Sequence, residues 1–124
     1  MNEMDATKAI ILFGHGSRDP LWRQPIEAVA ARLRGGDCAL AVRCGYLEFT
    51  EPDLGSAAGE LIDAGARLIT IVPMFLGTGK HAREDLPALV TQLRADFPSV
   101  LFKLQPAVGE DSRLLDLLAR IALE

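Results

Sequence analysis

Hydrophobic positions fall into runs separated by polar, glycine-bearing segments. Lys8 to Gly14 (KAIILFG) and Leu68 to Pro73 (LITIVP) are almost continuously apolar. Unbroken short runs of this kind read as strands buried on both faces, as in a parallel sheet. Val100 to Leu104 reads as a further strand. Cys38 to Gly45 (CALAVRCG) is mixed in polarity and reads as a strand nearer an edge. Between the strands the pattern turns helical. Asp19 can cap a helix with Pro20 at its first position; Ile26, Val29, Ala30 and Leu33 share one face, and Gly35-Gly36 stops it. Further helices are expected over Pro52 to Ala64, ending at Gly65, over His81 to Phe97, closed by Pro98, and over Glu110 to Leu123, with leucines at 114, 115, 117 and 118. The order β-α-β-α-β-α-β-α predicts an α/β three-layer sandwich, a four-stranded mostly parallel sheet with helices on both faces. The expected strand order is 2-1-3-4, with the topological switch between strands one and three.

Composition narrows the class. The 124 residues form one domain by length, 1–124, with no internal repeat or linker. Hydrophobic residues at 49% and charged residues at 24% describe a soluble globular chain. No apolar run is long enough for a membrane span, and Met1 to Lys8 lacks the apolar core of a signal peptide, so a cytoplasmic protein is expected. Cys38 and Cys44 lie in or beside one predicted strand, roughly 20 Å apart, too far for a disulfide, and read as reduced packing residues. The net charge of −4 gives no basic footprint for nucleic acid. An anionic ligand has to be met by local arginines and lysines.

The chain has two histidines, His15 and His81. Each follows the carboxyl end of a predicted strand, and those strands are expected to be neighbours, about 4.8 Å apart. His81 comes after Gly77, Thr78 and Gly79, a strand-turn-helix junction of the kind where α/β domains place their chemistry. Glu48 follows the strand on the other side of strand one. A cleft with two imidazoles and a carboxylate suits a divalent first-row metal, and open coordination positions would make it a catalytic or transfer site. Arg18, Lys80 and Arg83 flank the histidines and read equally as solvated surface or as anion-steering groups. Met74 and Phe75 read as lining the cleft or packing the core. Two other chemistries use the same loop: GHGSRDP could hold phosphate through backbone amides and Arg18, and Ser17 could be a nucleophile, though no G-x-S-x-G elbow surrounds it. Glu51, just before Pro52, reads as an acid near a helix start.

The segments LFGHGSRDP (Leu12 to Pro20), YLEFTEPDL (Tyr46 to Leu54) and VPMFLGTGKHAREDLP (Val72 to Pro87) together resemble the class II tetrapyrrole chelatases, in their short, CbiX-type form. The resemblance covers nearly the whole chain, with the three motifs in the family's order and spacing. It implies a chelatase-like fold and a lyase-type reaction, the insertion of a divalent metal into sirohydrochlorin in cobalamin biosynthesis. Co2+ is the metal most closely implied; iron or nickel insertion, or a non-catalytic metal or tetrapyrrole carrier, are alternatives. His15, His81 and Glu48 correspond to the family's metal-binding and catalytic positions. Arg18, Lys80 and Arg83 would meet the carboxylates of the substrate, and Met74, Phe75 and Leu76 would hold the flat macrocycle. The metal is a substrate, and no permanent cofactor is expected. Long family members carry two such domains, so the resemblance implies a homodimer whose partner completes the cleft.

Overall fold

The four apolar runs pair as one parallel sheet in the structure, a computed structural model that describes residues 8–36 and 40–124. The strands are β1 (Lys8–Gly14), β2 (Ala41–Tyr46), β3 (Leu68–Pro73) and β4 (Leu101–Leu104). Their order is β2-β1-β3-β4, as the crossover lengths predict. The helices are α1 (Gln24–Gly36), α2 (Leu54–Asp63), α3 (Lys80–Asp96) and α4 (Ser112–Ala122), with a short 3-10 turn at Val108–Glu110.

Successive strand side chains point to opposite faces of the sheet, so the two helical layers take alternate residues. Ile11, Phe13, Ile69, Ile71 and Phe102 enter a core with Ala57, Ala58 and Leu61 of α2 and Leu86, Val90 and Leu93 of α3. Leu12, Val42 and Tyr46 turn to the other face, against Ile26 and Ala30 of α1. The chain is thus a three-layer α/β sandwich. β2 lies at an edge, which accounts for its mixed polarity. The Val42 carbonyl there accepts hydrogen bonds from Arg34 (2.8 Å) and Arg43 (3.0 Å). Charged side chains over an edge strand protect it against pairing with another chain.

Element starts differ from the sequence reading, each for a local reason. Asp19 spends its carboxylate on the Leu21 amide (2.9 Å), residues 20–23 form turns, and α1 begins only at Gln24. α2 begins at Leu54 because Asp53 is its cap, its side chain accepting from Ser56 N at 2.8 Å. α4 begins at Ser112, capped by Asp111, after the 3-10 turn has used Val108 to Glu110. β2 and β4 are shorter at their amino ends than expected. The expectation for Cys38 lies outside the described residues; Cys44 is a half-buried free thiol. No residue of α4 is buried, so its leucines do not complete the core.

The register sets the carboxyl ends of three strands side by side. Gly14 is level with Tyr46, and Phe13 with Pro73. The pairing runs on past the strands: Leu47 N donates to Gly14 O (3.0 Å), Glu48 N to His15 O (3.0 Å) and Met74 N to Phe13 O (2.7 Å). This edge is where an open α/β sheet binds ligands.

Candidate functional site

His15 leaves β1 directly, and Glu48 leaves β2 on the neighbouring strand. Their side chains meet, with His15 Nε2 3.3 Å from Glu48 Oε1. His15 Nδ1 lies 3.3 Å from Gly16 O. When Nδ1 carries the proton and donates it there, the Nε2 lone pair and the Glu48 carboxylate face each other, two Lewis bases aimed at one point. That arrangement receives a cation. Both side chains are partly exposed, so the pair opens to solvent.

Close packing of two loops makes the pair possible. Gly16 has a φ of 100°, and a Cβ built on it would fall 1.7 Å from the Glu48 carbonyl oxygen, so only glycine lets the loops approach this closely. Thr50 Oγ1 accepts from Ser17 N at 3.0 Å and donates to Ser17 O at 2.9 Å. Thr50 N donates to Glu48 O at 2.8 Å, closing a γ-turn around Phe49, whose φ is 62°. A positive-φ γ-turn is rare and strained, more so on a bulky residue. The Phe49 ring is 56% exposed, and the Arg18 guanidinium sits 4.5 Å from its centroid. Neither Phe49 nor Thr50 stands out in the sequence, because a γ-turn at a phenylalanine has no sequence signal.

His81 occupies the first turn of α3, after Gly79, which offers no side-chain cap. Its Nε2 lies 3.1 Å from Asp85 Oδ2, one helical turn on. Asp85 was not among the residues singled out from sequence, though the i,i+4 spacing on a helix is the signal that could have found it. Lys80 and Arg83 are exposed around His81. The structure therefore gathers the acid and base groups as two pairs, His15–Glu48 and His81–Asp85. Among the described residues no three His, Cys, Asp or Glu side chains stand close enough to hold a metal together.

Met74, Phe75 and Leu76 do not form one surface. Met74 packs with the α1-side cluster. Phe75 points the other way and is only 8% exposed, edge-on to Phe13 at 5.9 Å between centroids. Leu76 is 65% exposed. Alternation along an extended segment separates the first two, so Phe75 is a core residue that also floors an open cleft of about 530 Å³ bounded by Leu76, Arg83, Leu86, Leu104 and Pro106. Beside Glu48 a second cleft of about 680 Å³ carries Glu48, Glu51, Asp53 and Glu60. Within GHGSRDP two of the amides the phosphate reading would use are already bound, Ser17 N to Thr50 Oγ1 and Asp19 N to Ser17 Oγ, each at 3.0 Å. The Ser17 hydroxyl oxygen accepts the Asp19 amide, a local turn contact, and among the described residues no base contacts it.

Comparison with known proteins agrees with this fold. A curated sirohydrochlorin cobaltochelatase of Methanococcus maripaludis is 34% identical over 83 residues, 67% of this chain. The match spans 58% of that relative's length. One of Methanosarcina barkeri is 29% identical, with 87% of this chain and 88% of the relative covered. The CbiX protein of Marinobacter aquaeolei VT8 superposes with a TM-score of 0.79 at 30% identity, covering 93% of both chains. The sirohydrochlorin chelatase SirB of Bacillus subtilis subspecies spizizenii, solved in complex with cobalt, gives 0.78 at 25% identity, over 92% of this chain but 49% of its own. The family model described as CbiX matches residues 9–124, nearly the full length, and the chain belongs to the CbiX family.

Proposed function

We propose that the chain is a chelatase that inserts a divalent metal ion, Co2+ foremost, into sirohydrochlorin, a reaction of cobalamin biosynthesis. The observation that carries this reading is the open His15–Glu48 pair. Two ligands of one ion, each about 2.0–2.2 Å from it, lie about 2.8–3.6 Å apart at octahedral to tetrahedral angles. The 3.3 Å between His15 Nε2 and Glu48 Oε1 falls in that range. The names of the Methanococcus and Methanosarcina relatives and the cobalt complex of SirB support the same metal and tetrapyrrole.

Insertion exchanges two pyrrole protons for one M2+. The ion must shed water, and the protons must go to bases. His15 and Glu48 hold the incoming ion. His81, oriented by Asp85, accepts one proton from the macrocycle face it meets, and the second leaves to solvent water at the open site. A neutral imidazole is required for either task. Arg18, Lys80 and Arg83 are the exposed cations at this edge and meet substrate carboxylates. Phe49, exposed beside Glu48, joins Leu76 as an apolar surface for the macrocycle.

The reading includes a homodimer and a cytoplasmic location. Two ligand pairs with no three-ligand group among the described residues, and a SirB chain about twice as long as the part matched, support a site completed by a second copy. α4 supports the contact, with Leu115, Leu117, Leu118 and Ile121 exposed. Light scattering on the active protein tests the dimer. The reaction is tested by incubating the protein with sirohydrochlorin and Co2+, Ni2+ or Fe2+ separately and following absorption. A carrier stops at one metallated tetrapyrrole per site; a chelatase does not.

A further inference from the structure

We propose that Thr50 is a positioning residue whose hydroxyl latches the His15 loop to the Glu48 turn and so fixes the metal-receiving pair; the proposal rests on the chelatase reading for its catalytic consequence. One hydroxyl makes two bonds to one residue, accepting from Ser17 N (3.0 Å) and donating to Ser17 O (2.9 Å), across 33 positions of sequence. On the other side, Thr50 N holds Glu48 O at 2.8 Å. Thr50 therefore ties the residue two beyond His15 to the residue two before itself, Glu48. The Glu48 N to His15 O bond of 3.0 Å closes the ring of contacts.

The ring explains how a strained turn persists. Phe49, at a φ of 62°, would relax if its neighbours let go. Such backbone survives only where surrounding contacts over-determine it. Backbone bonds from Glu48 and Thr50 fix the turn itself; among the described residues the hydrogen bonds that fix it to the His15 loop beyond Gly16 come from the Thr50 side chain, beside the exposed Arg18–Phe49 contact. Without the hydroxyl, Ser17 N and O lose these partners, and the two loops keep the Glu48–His15 and Leu47–Gly14 backbone bonds at the strand ends and the exposed Arg18–Phe49 contact. The 3.3 Å spacing of the pair then has no hydrogen-bonded tether beyond Gly16 among the described residues. Thr50 touches neither metal nor macrocycle in this account.

Thr50→Val keeps the shape and removes the hydroxyl, and Thr50→Ser restores it. Three readouts apply to the full chain: Co2+ affinity by calorimetry without tetrapyrrole, steady-state insertion, and hydrogen exchange of the Ser17 amide. Removing a group that orients ligands commonly weakens metal affinity about tenfold or more. The expected result for Thr50→Val is a Co2+ Kd and a KM for Co2+ raised about tenfold, an unchanged KM for sirohydrochlorin, and faster Ser17 exchange. Thr50→Ser should match wild type in all three. In a His15→Ala background, Thr50→Val should weaken Co2+ binding no further, because the pair it sets is gone. Wild-type Co2+ affinity in Thr50→Val, or a full additive loss on top of His15→Ala, overturns the latch. Wild type that binds Co2+ but inserts none overturns the chelatase reading and leaves the affinity comparison to decide the latch. Wild type that binds no Co2+ overturns both.

Discussion

His15 Nε2 and Glu48 Oε1 stand 3.3 Å apart although 33 residues separate them in the chain. The parallel pairing of β1 and β2 continues into the two loops and brings them level. Gly16 then lets the loops close to contact. The pair is thus a product of sheet register plus one glycine, and the proposed role in receiving a metal rests on the two atom types that face each other.

On the proposed chelatase reading the acid that serves the metal is Glu48, which faces His15, and not Glu51. Glu48→Gln replaces an anionic ligand with a neutral amide and is expected to slow insertion at least about tenfold, roughly 1.4 kcal/mol of barrier. Glu51→Gln should leave the rate near wild type. It should also leave the melting temperature almost unchanged, because Asp53 and not Glu51 caps α2. Steady-state rates and melting curves on both variants check this; an inactive Glu51→Gln beside a normal Glu48→Gln would reverse the assignment.

Gly16→Ala should disrupt both the fold and the site. Its φ of 100° is unfavourable for a residue with a Cβ, and that Cβ would overlap the Glu48 carbonyl. Strain of this kind costs about 1–3 kcal/mol. A lowered melting midpoint and impaired Co2+ binding are expected together. Loss of neither would mean the loops do not approach as described.

Asp111 gives α4 a pH-dependent start. Side-chain hydrogen bonds from Arg113, joined by the Arg113 backbone N–H, hold its carboxyl down to about 2, against an ordinary 3.8. A carboxylate depressed in the folded state stabilises above its unfolded pKa and loses that contribution as pH falls through the folded value. The α4 start should therefore be held fully above about pH 4 and weaken toward pH 2. Resonances of α4 followed across that range check it. Asp111→Asn, which can still cap, should lose the pH response while keeping the helix at pH 7.

Among the described residues the buried Tyr46 hydroxyl makes no hydrogen bond of normal geometry and has the Cys44 thiol as a polar neighbour, in a residue 1% exposed and edge-on to Trp22 at 6.0 Å. Burial pushes both the Tyr46 phenol and the Cys44 thiol above their ordinary values, so both are neutral at pH 7. Removing an unsatisfied buried polar group relieves its desolvation cost. Tyr46→Phe should leave the melting temperature unchanged or raised. A fall of several degrees would show that the hydroxyl has a partner.

The fold was legible wherever burial alone decides structure. β1 and β3 are interior strands with continuous apolar runs, and their bounds match the sequence reading. Helix starts were less legible because side-chain caps compete: Asp19 serves a turn instead of α1, and Asp111 displaces the start of α4. At the site, His15 and Glu48 were found through strand ends, which topology aligns. Thr50 was not, since its hydroxyl acts on a residue distant in sequence. Asp85 was missed for the opposite reason, because acids four residues from a cation or histidine are common on exposed helix faces and the spacing alone does not single one out. Of the apolar cleft expected beside Met74, Phe75 and Leu76, Phe75 and Leu76 line one cleft, while alternation along the extended segment turns Met74 to the α1 side of the sheet.

The most direct measurement is the number of cobalt-sirohydrochlorin molecules formed per chain by wild-type protein and by His81→Ala, followed by absorption with Co2+ and tetrapyrrole in excess. The account predicts many turnovers for wild type and none above the spontaneous rate for His81→Ala, with the variant still folded. At most one equivalent from wild type, or near wild-type turnover from His81→Ala, would contradict it.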